Sequence, residues 1–226
     1  MTSPQHLLAD EVTVGYGHQV VLDGVTVRIG RGETVGLRGP SGCGKSTLVR
    51  VLALLQRPDQ GRVSIDGTPV DGTRYAVPVA LRTRVAALFQ SPRAAADPRL
   101  SLADLIAEPL RATRTPEPTV RERVAELADL VSLTADLRSR RPHAVSDGQL
   151  QRACLARALA HRPDYLLCDE ATAMLDASTQ AHVAAVIRDY QRTQQAGVLV
   201  ISHDQSLLDR WSDRIVDLGN TAATLT

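Results

Sequence analysis

The alternation of apolar and polar residues along the chain predicts strands and helices that follow one another in turn. A period of two over 6–14 and 20–29 indicates two half-buried strands near the amino terminus. Further short apolar runs have the character of buried strands: 34–37, 85–89, 165–168, 198–202 and 214–218. Intervening segments carry apolar residues at helical spacing: 45–55, 146–161, 178–195 and 204–211. Strands that alternate with helices favour a mostly parallel sheet covered on both faces.

The chain changes character between Ser91 and about Arg141, where alanine, leucine, arginine and proline predominate. This segment predicts helices separated by prolines, with the clearest helix over 120–130. Before it, residues 63–67 predict one arm and the turn of a hairpin. A length of 226 residues fits one large domain, so we expect a single domain over 1–226 with an inserted helical lobe.

Charge and cysteine content narrow the class of protein. The 26 basic and 25 acidic residues nearly cancel, and only six residues are aromatic, which argues against a dedicated nucleic-acid binder. Three cysteines without metal-ligand spacing exclude a disulfide framework and indicate a reducing compartment. The sequence shows no apolar run long enough to span a bilayer and no secretory signal. We therefore expect a cytoplasmic protein, or one held at a membrane only through a partner.

Residues 39–47 match the phosphate-binding pattern G-x-x-x-x-G-K-[ST] in full, between a predicted strand and a predicted helix. Glycines allow backbone N–H groups to surround phosphate oxygens, and the helix amino terminus adds partial positive charge. Lys45 is the only lysine among the 26 basic residues, and it stands where the pattern requires a contact to the β- and γ-phosphates. The Ser46 hydroxyl can ligate Mg²⁺. The predicted phosphate-binding residues are Gly39, Pro40, Ser41, Gly42, Cys43, Gly44, Lys45, Ser46 and Thr47.

Two carboxylates, Asp169 and Glu170, end the apolar run at 165–168. A carboxylate at a strand tip beside a phosphate-binding loop can hold the hydration shell of Mg²⁺, and a second one can polarise an attacking water. Adjacent residues on a strand point to opposite faces, so the two carboxylates can do different work. By itself an acidic pair after a strand is often only a helix cap.

With these motifs, nearly the whole sequence resembles the nucleotide-binding domain of ABC ATPases. Tyr16, between two glycines, stands where the family has an aromatic residue that stacks on adenine, and Gln90 stands where the family has its Q-loop glutamine. The sequence Ser146-Asp147-Gly148-Gln149 resembles the signature S-G-G-Q at a helix amino terminus. Leu175-Asp176 resembles the end of the D-loop, and His203 resembles the switch histidine.

This resemblance implies a fold and a reaction. The fold would be that of a P-loop NTPase, an α/β RecA-like core with a helical subdomain at about 91–160 and an antiparallel β-subdomain near the amino terminus. Two such domains would enclose two ATP molecules, each between one P-loop and the other chain's signature helix, and hydrolysis would let the dimer open. Glu170 would be the general base and His203 the γ-phosphate contact. The Mg²⁺ ion would be held by Ser46, Gln90 and Asp169.

The sequence departs from the family in two of these motifs. Asp147 replaces the first of two signature glycines. It could simply complement the helix dipole and cap N–H groups, or its carboxylate could weaken the composite site near the other chain's γ-phosphate. In the D-loop, Ala173-Met174 replaces the commoner S-A.

The stretch after Gln90 resembles importer ATPases for oligopeptides, dipeptides and nickel, in which Q-D-P-x-x-S-L-N-P-R is followed by I-x-E-P-L. Pro92, Pro98, Arg99 and the triplet 108–110 keep this pattern. Members of the peptide branch usually carry a carboxy-terminal extension, which this sequence does not show. The resemblance therefore predicts an importer of a small solute such as a peptide, nickel or a metal chelate.

The same resemblance implies the partners and the place of action. We expect a second ABC ATPase subunit, identical or different, two transmembrane permease subunits and an extracytoplasmic solute-binding protein, with no nucleic acid. The protein would lie peripherally at the cytoplasmic face of the membrane. The alternatives are an ABC exporter ATPase, which would share every catalytic residue, and a soluble ABC ATPase that acts on DNA or ribosomes.

Overall fold

The computed structural model describes residues 5–171 and 176–219. Its strands are β1 (His6–Tyr16), β2 (Gln19–Gly30), β3 (Thr34–Arg38), β4 (Gln60–Ile65), β5 (Thr68–Pro69), β6 (Val85–Leu88), β7 (Tyr165–Asp169), β8 (Gly197–Ile201) and β9 (Arg214–Asp217). Its α-helices are α1 (Lys45–Leu52), α2 (Val79–Arg82), α3 (Pro92–Ala95), α4 (Leu102–Ala112), α5 (Glu117–Leu130), α6 (Ala135–Ser139), α7 (Asp147–Ala158), α8 (Ala177–Gln194) and α9 (Gln205–Trp211).

The strands form the two kinds of sheet that the sequence predicts. An antiparallel sheet has the order β2-β1-β4-β5, and a second sheet has the order β6-β7-β8-β3-β9. In the second sheet β3 runs parallel to both β8 and β9, and β7 runs parallel to β8. The predicted α/β fold with an amino-terminal antiparallel subdomain is thus confirmed.

The parallel strands end level with one another, and this brings the predicted motifs together. Leu37 in β3 pairs with Ile201 in β8, and Ile201 pairs with Asp169 at the end of β7. The loop at 39–44 therefore leaves the same edge of the sheet as Glu170 and His203. Parallel α/β sheets bind their ligands at this carboxyl edge.

The described residues form two compact units, each with its own apolar core. The first unit comprises 5–87, 164–170 and 191–219 and holds both sheets with α1. The second unit comprises 88–163, 171 and 176–190 and is helical. Fully buried side chains fill each core, and burial of a leucine or isoleucine contributes about 1.5–3 kcal/mol. They include Leu7, Ile29, Leu37, Leu48 and Ile65 in the first unit, and Leu102, Leu105, Ile106, Leu127 and Leu150 in the second.

Some predicted boundaries differ from the structure. The predicted break at Gly15 lies inside β1, because the turn to β2 occurs at Gly17, whose φ is 61°. Helix α1 ends at Leu52 instead of residue 55, because Leu54 takes the left-handed conformation with φ 60°. The Leu55 amide then donates to the Arg50 carbonyl, and the Leu54 amide to the Val51 carbonyl, which satisfies the last turn of the helix.

Helix α7 ends at Ala158, three residues before the predicted end at 161. Within 5–171 and 176–219, no helix combines the length and the apolar character that crossing a bilayer requires.

Candidate active site

The loop between β3 and α1 has a backbone that only glycine tolerates at its last position. Gly44 has φ 100°, and a Cβ added there would lie 2.6 Å from Leu22 Cδ2 and 2.9 Å from the Val21 carbonyl oxygen. The loop is therefore pressed against β2 as it enters the helix. Among the residues that the structure describes there, no side chain caps α1 and no acidic residue lies in its first turn. The amino terminus of α1 keeps its partial positive charge for an anion.

The Lys45 ammonium group lies inside this loop. Its Nζ donates to the Gly39 carbonyl at 2.8 Å and to the Pro40 carbonyl at 2.9 Å, and Cys43 Sγ is 4.0 Å away. Lys45 is only 7% exposed. Two backbone oxygens thus fix the single lysine of the chain at the centre of the phosphate-binding loop, where its charge is poorly screened by water.

Ser46 and Asp169 form the second part of the site. The Ser46 hydroxyl donates a hydrogen bond to the Asp169 carboxylate, which is buried at the tip of β7. Burial raises the pKa of Asp169, although the Ser46 bond and the charge of Lys45 oppose that effect. A hydroxyl and a carboxylate are hard oxygen donors of the kind that Mg²⁺ accepts beside phosphate oxygens and water. These two residues fit the predicted magnesium site.

Glu170 and His203, which the sequence predicts from separate motifs, are in direct contact. His203 Nε2 lies 2.7 Å from Glu170 Oε1, and the imidazole is 57% exposed while the glutamate side chain is 15% exposed. Glu170 has φ 51°, a conformation that residues other than glycine rarely adopt. Its amide donates to the Ile201 carbonyl at 3.2 Å, so the turn after β7 is anchored on β8. This turn directs the Glu170 side chain towards His203, two residues after the end of β8.

Tyr16 lies at the end of β1 with its ring half exposed and its hydroxyl anchored. The hydroxyl donates to Gln56 Oε1 at 2.9 Å, and Thr47 and Arg50 of α1 also bond it. The ring is 51% exposed. An aromatic face that is fixed at one end and open to solvent can stack on a nucleotide base.

The signature residues begin α7 in the second unit. Ser146 caps the helix: its Oγ accepts from the Gln149 amide at 3.2 Å, and Gln149 Oε1 accepts from the Ser146 amide at 3.0 Å. Ser146 and Asp147 are exposed. A Cβ added at Gly148 would lie 3.0 Å from Thr179 Cγ2, so α8 requires a small residue there.

Gln90 and Asp176 also belong to the second unit. Gln90 is exposed and follows the end of β6. Asp176 accepts hydrogen bonds from the Ser178 and Thr179 amides at 3.1 and 2.9 Å, and from the Thr179 hydroxyl at 2.8 Å. The Ser178 hydroxyl also donates to Asp176, at 2.5 Å, and this bond, together with the others, holds the pKa of Asp176 well below its usual range. The other D-loop positions that the sequence analysis names, Ala173, Met174 and Leu175, lie outside the described residues.

The structure also reveals residues that the sequence analysis missed. Gln151 is buried in α7, and its Nε2 donates to the Ala171 carbonyl at 2.7 Å and to the Phe89 carbonyl at 3.4 Å. It bonds the residues next to Glu170 and Gln90 in the chain. An amide on the otherwise apolar buried face of a predicted helix was the only available signal.

Among the first unit's residues, the structure brings together Lys45, Ser46, Asp169, Glu170 and His203 at one edge of the parallel sheet. In the second unit it places Ser146, Asp147 and Gly148 at one helix amino terminus. Arg50 and Gln56 bond the Tyr16 hydroxyl, and Arg93 forms an ion pair with Asp147. No motif in the sequence marks these three residues.

Comparison with known proteins gives the same picture. A model of the family described as ABC transporter matches residues 22–173. The nickel import ATP-binding protein NikE of Brucella suis biovar 1 (strain 1330) is 40% identical over 197 residues, which cover 87% of this chain and 74% of the relative. NikE of Shigella dysenteriae serotype 1 (strain Sd197) is 38% identical over 204 residues, which cover 90% of this chain and 76% of the relative.

Solved structures of similar chains share the fold. The ATP-binding cassette MJ0796, in a dimeric post-hydrolysis state bound to ADP and Pi, superposes with a TM-score of 0.83 at 27% identity, over 94% of each chain. CbiO1 of Clostridium perfringens, part of the ABC transporter complex cbiONQ, superposes with a TM-score of 0.81 at 25% identity, over 95% of this chain and 84% of the other.

Proposed function

The chain belongs to the ABC transporter family, and on that premise we propose that it is the ATP-hydrolysing subunit of an importer whose solute is nickel or a nickel chelate. The nickel import ATP-binding proteins at 38–40% identity support this solute class over a peptide. The importer-like pattern after Gln90 supports the direction of transport. The chain itself would not touch the solute, since its chemistry concerns phosphate.

The arrangement around Lys45 carries the proposed reaction. Lys45 and the loop amides would hold the β- and γ-phosphates, and Tyr16 would stack on adenine. Ser46 and Asp169 would hold Mg²⁺, which would supply positive charge that offsets the negative charge of the phosphates. Gln90 as a further ligand of the ion rests on the family resemblance.

Glu170 is the proposed general base and His203 the proposed contact to the γ-phosphate. Proton abstraction needs a carboxylate that is held in one orientation within hydrogen-bond reach of water. The 2.7 Å contact to His203 and the anchored turn after β7 supply that orientation. The His203 side chain is 57% exposed, which would leave room for a contact with a phosphate.

The ATP site is proposed to be completed by a second cassette. The exposed amino terminus of α7 and the signature residues Ser146, Asp147, Gly148 and Gln149 would contact the triphosphate on the other subunit, and Asp176 would lie in the same interface. The second cassette is either another copy or a related chain. Two permease subunits and a solute-binding protein would complete the importer, with this chain at the cytoplasmic face of the membrane.

The test combines purification with transport. The tagged chain should co-purify with two membrane subunits, and nickel uptake should require those subunits together with a functional Glu170. A matched strain that carries Glu170→Gln should express the complex at the same level and show uptake at background. Uptake of a peptide but not nickel would overturn the solute assignment, and release of a solute from loaded cells would indicate an exporter.

A further inference from the structure

Asp147, the residue that departs from the family signature, is paired with an arginine. Arg93 Nε lies 2.6 Å from Asp147 Oδ1. Both belong to the second unit, and Arg93 lies in α3, three residues after Gln90. The signature carboxylate is therefore not a free negative charge at the amino terminus of α7.

The same guanidinium bonds the segment that leads into the signature. Arg93 Nη1 donates to the Pro142 carbonyl at 3.0 Å, and Nη2 donates to the Val145 carbonyl at 3.2 Å. One side chain thus connects residues 142, 145 and 147 across the start of α7. The planar fork of arginine makes such a three-point contact possible, and lysine cannot reproduce it.

Helix α3, which contains Arg93, is itself hydrogen-bonded to α7, and this bond fixes the position of the Arg93 backbone. Arg157 Nη1 of α7 donates to the Ala95 carbonyl at 2.8 Å. Ser91 caps α3 by accepting from the Ala94 amide. Movement of α3 would therefore be transmitted to the segment before the signature helix.

The ion pair of Arg93 with Asp147 matters more for the local charge at the start of α7 than for the stability of the fold. The Arg93 and Asp147 side chains are 49% and 57% exposed, and exposed ion pairs contribute little to the free energy of unfolding. A carboxylate in the first turn does, however, oppose the approach of a triphosphate to the same N–H groups. A guanidinium at 2.6 Å places a positive charge beside the carboxylate and offsets that opposition.

We propose that Arg93 is a positioning residue for the signature: it neutralises Asp147 and clamps residues 142–147, so that the amino terminus of α7 accepts the triphosphate held by a second cassette. The inference rests on the proposed function for its ligand. It decides between the two interpretations of Asp147, because the carboxylate would weaken the composite site only when Arg93 is lost.

A double-mutant cycle tests the charge compensation. The full chain is purified as wild type, Arg93→Gln, Asp147→Gly and the double variant, and kcat and KM for MgATP are measured at low and high salt. Arg93→Gln should raise KM about tenfold with Asp147 present and less than about twofold with glycine at 147, because only the first case leaves an unpaired carboxylate. The increase should shrink at high salt, where charges are screened.

Arg140→Gln is the matched control. Arg140 pairs with Asp136 in the same unit and is similarly exposed, at 46%. Its loss should leave KM within about twofold of wild type, as expected for a surface ion pair. An equal effect of Arg93→Gln in both backgrounds, or no effect in either, would overturn the compensation.

Amide hydrogen exchange of the chain without nucleotide tests the clamp separately. Arg93→Gln should raise exchange at 146–150 at least about threefold, and Arg93→Lys should restore KM more than it restores protection. Unchanged exchange at 146–150 in a folded Arg93→Gln variant would overturn the clamp. If the proposed function is wrong, a different result is expected: the wild-type chain and Lys45→Ala would then hydrolyse ATP at the same rate. The hydrogen-exchange measurement would still show whether Arg93 holds residues 142–147.

Discussion

The two units contain the family motifs in different ways. In the first unit, Ser46 and Glu170 have other motif residues as partners: Ser46 bonds Asp169, and Glu170 contacts His203. In the second unit the signature departs from the family at Asp147, and its partner Arg93 belongs to no motif. At the two contacts in the first unit, residues of one motif are held by residues of another. At the changed signature, our proposal makes the function depend on Arg93, which lies outside the motifs.

The strongest test of the first unit is Lys45→Ala, for which we expect ATP hydrolysis to fall at least about a hundredfold. Removal of the ammonium group would eliminate the charge that we propose contacts the transferring phosphoryl group, in a site with little water. Initial rates and the binding of a fluorescent ATP analogue measure the effect. Lys45→Arg keeps the charge and should retain nucleotide binding better than alanine does. Wild-type rate and affinity in Lys45→Ala would contradict the assignment of the phosphate site.

Glu170→Gln tests the pair at the end of β7 and should lower kcat by about a hundredfold or more, with little change in ATP affinity. Glutamine keeps the size and the hydrogen bond to His203 but cannot accept a proton. We expect this variant to accumulate as an ATP-bound dimer, which size-exclusion chromatography with and without ATP detects. Hydrolysis at the wild-type rate would show that Glu170 is not the base.

Features that depend on local sequence could be predicted, and contacts between distant residues could not. The parallel sheet, the order of the elements and the residues at 39–47 could be predicted, because strand periodicity and the phosphate-binding pattern are local in sequence. The predicted end of α1 was wrong by three residues, because no residue propensity indicates that the Leu54 backbone adopts the left-handed conformation. The contact between Glu170 and His203 spans 33 positions and the pair of Arg93 with Asp147 spans 54, so neither contact could be derived from spacing.

Gln151→Ala tests the second unit and should lower the free energy of unfolding by about 1–2 kcal/mol. The substitution leaves the buried Ala171 carbonyl without its donor at 2.7 Å, and an unpaired buried carbonyl is costly. Urea unfolding measures the change. Gln151→Met keeps most of the side-chain volume, so that it separates the lost hydrogen bond from the cavity.

Gln205 provides the matched control for that experiment. It is exposed and its amide bonds Asp209, so Gln205→Ala should change the unfolding free energy by less than about 0.5 kcal/mol. If Gln151→Ala also changes the unfolding free energy by less than about 0.5 kcal/mol, the Gln151 amide does not stabilise the segment after Glu170.

The smallest effect is expected for Asp176→Ala, and its size depends on pH. Hydrogen bonds from Ser178 and Thr179 lower the pKa of Asp176 below its ordinary value of 3.8, so the ionised carboxylate stabilises the folded chain. That stabilisation is present above pH 4 and is lost as the pH falls through the folded-state pKa. We therefore expect Asp176→Ala to lower the melting temperature at neutral pH, and the difference from wild type to shrink as the medium becomes acidic. Asp176→Asn keeps a cap acceptor and should fall between the two at neutral pH. A difference that is independent of pH would mean that Asp176 stabilises the chain through packing alone. The charge of its carboxylate would then make no contribution, in contrast to the charge that we propose for Asp147.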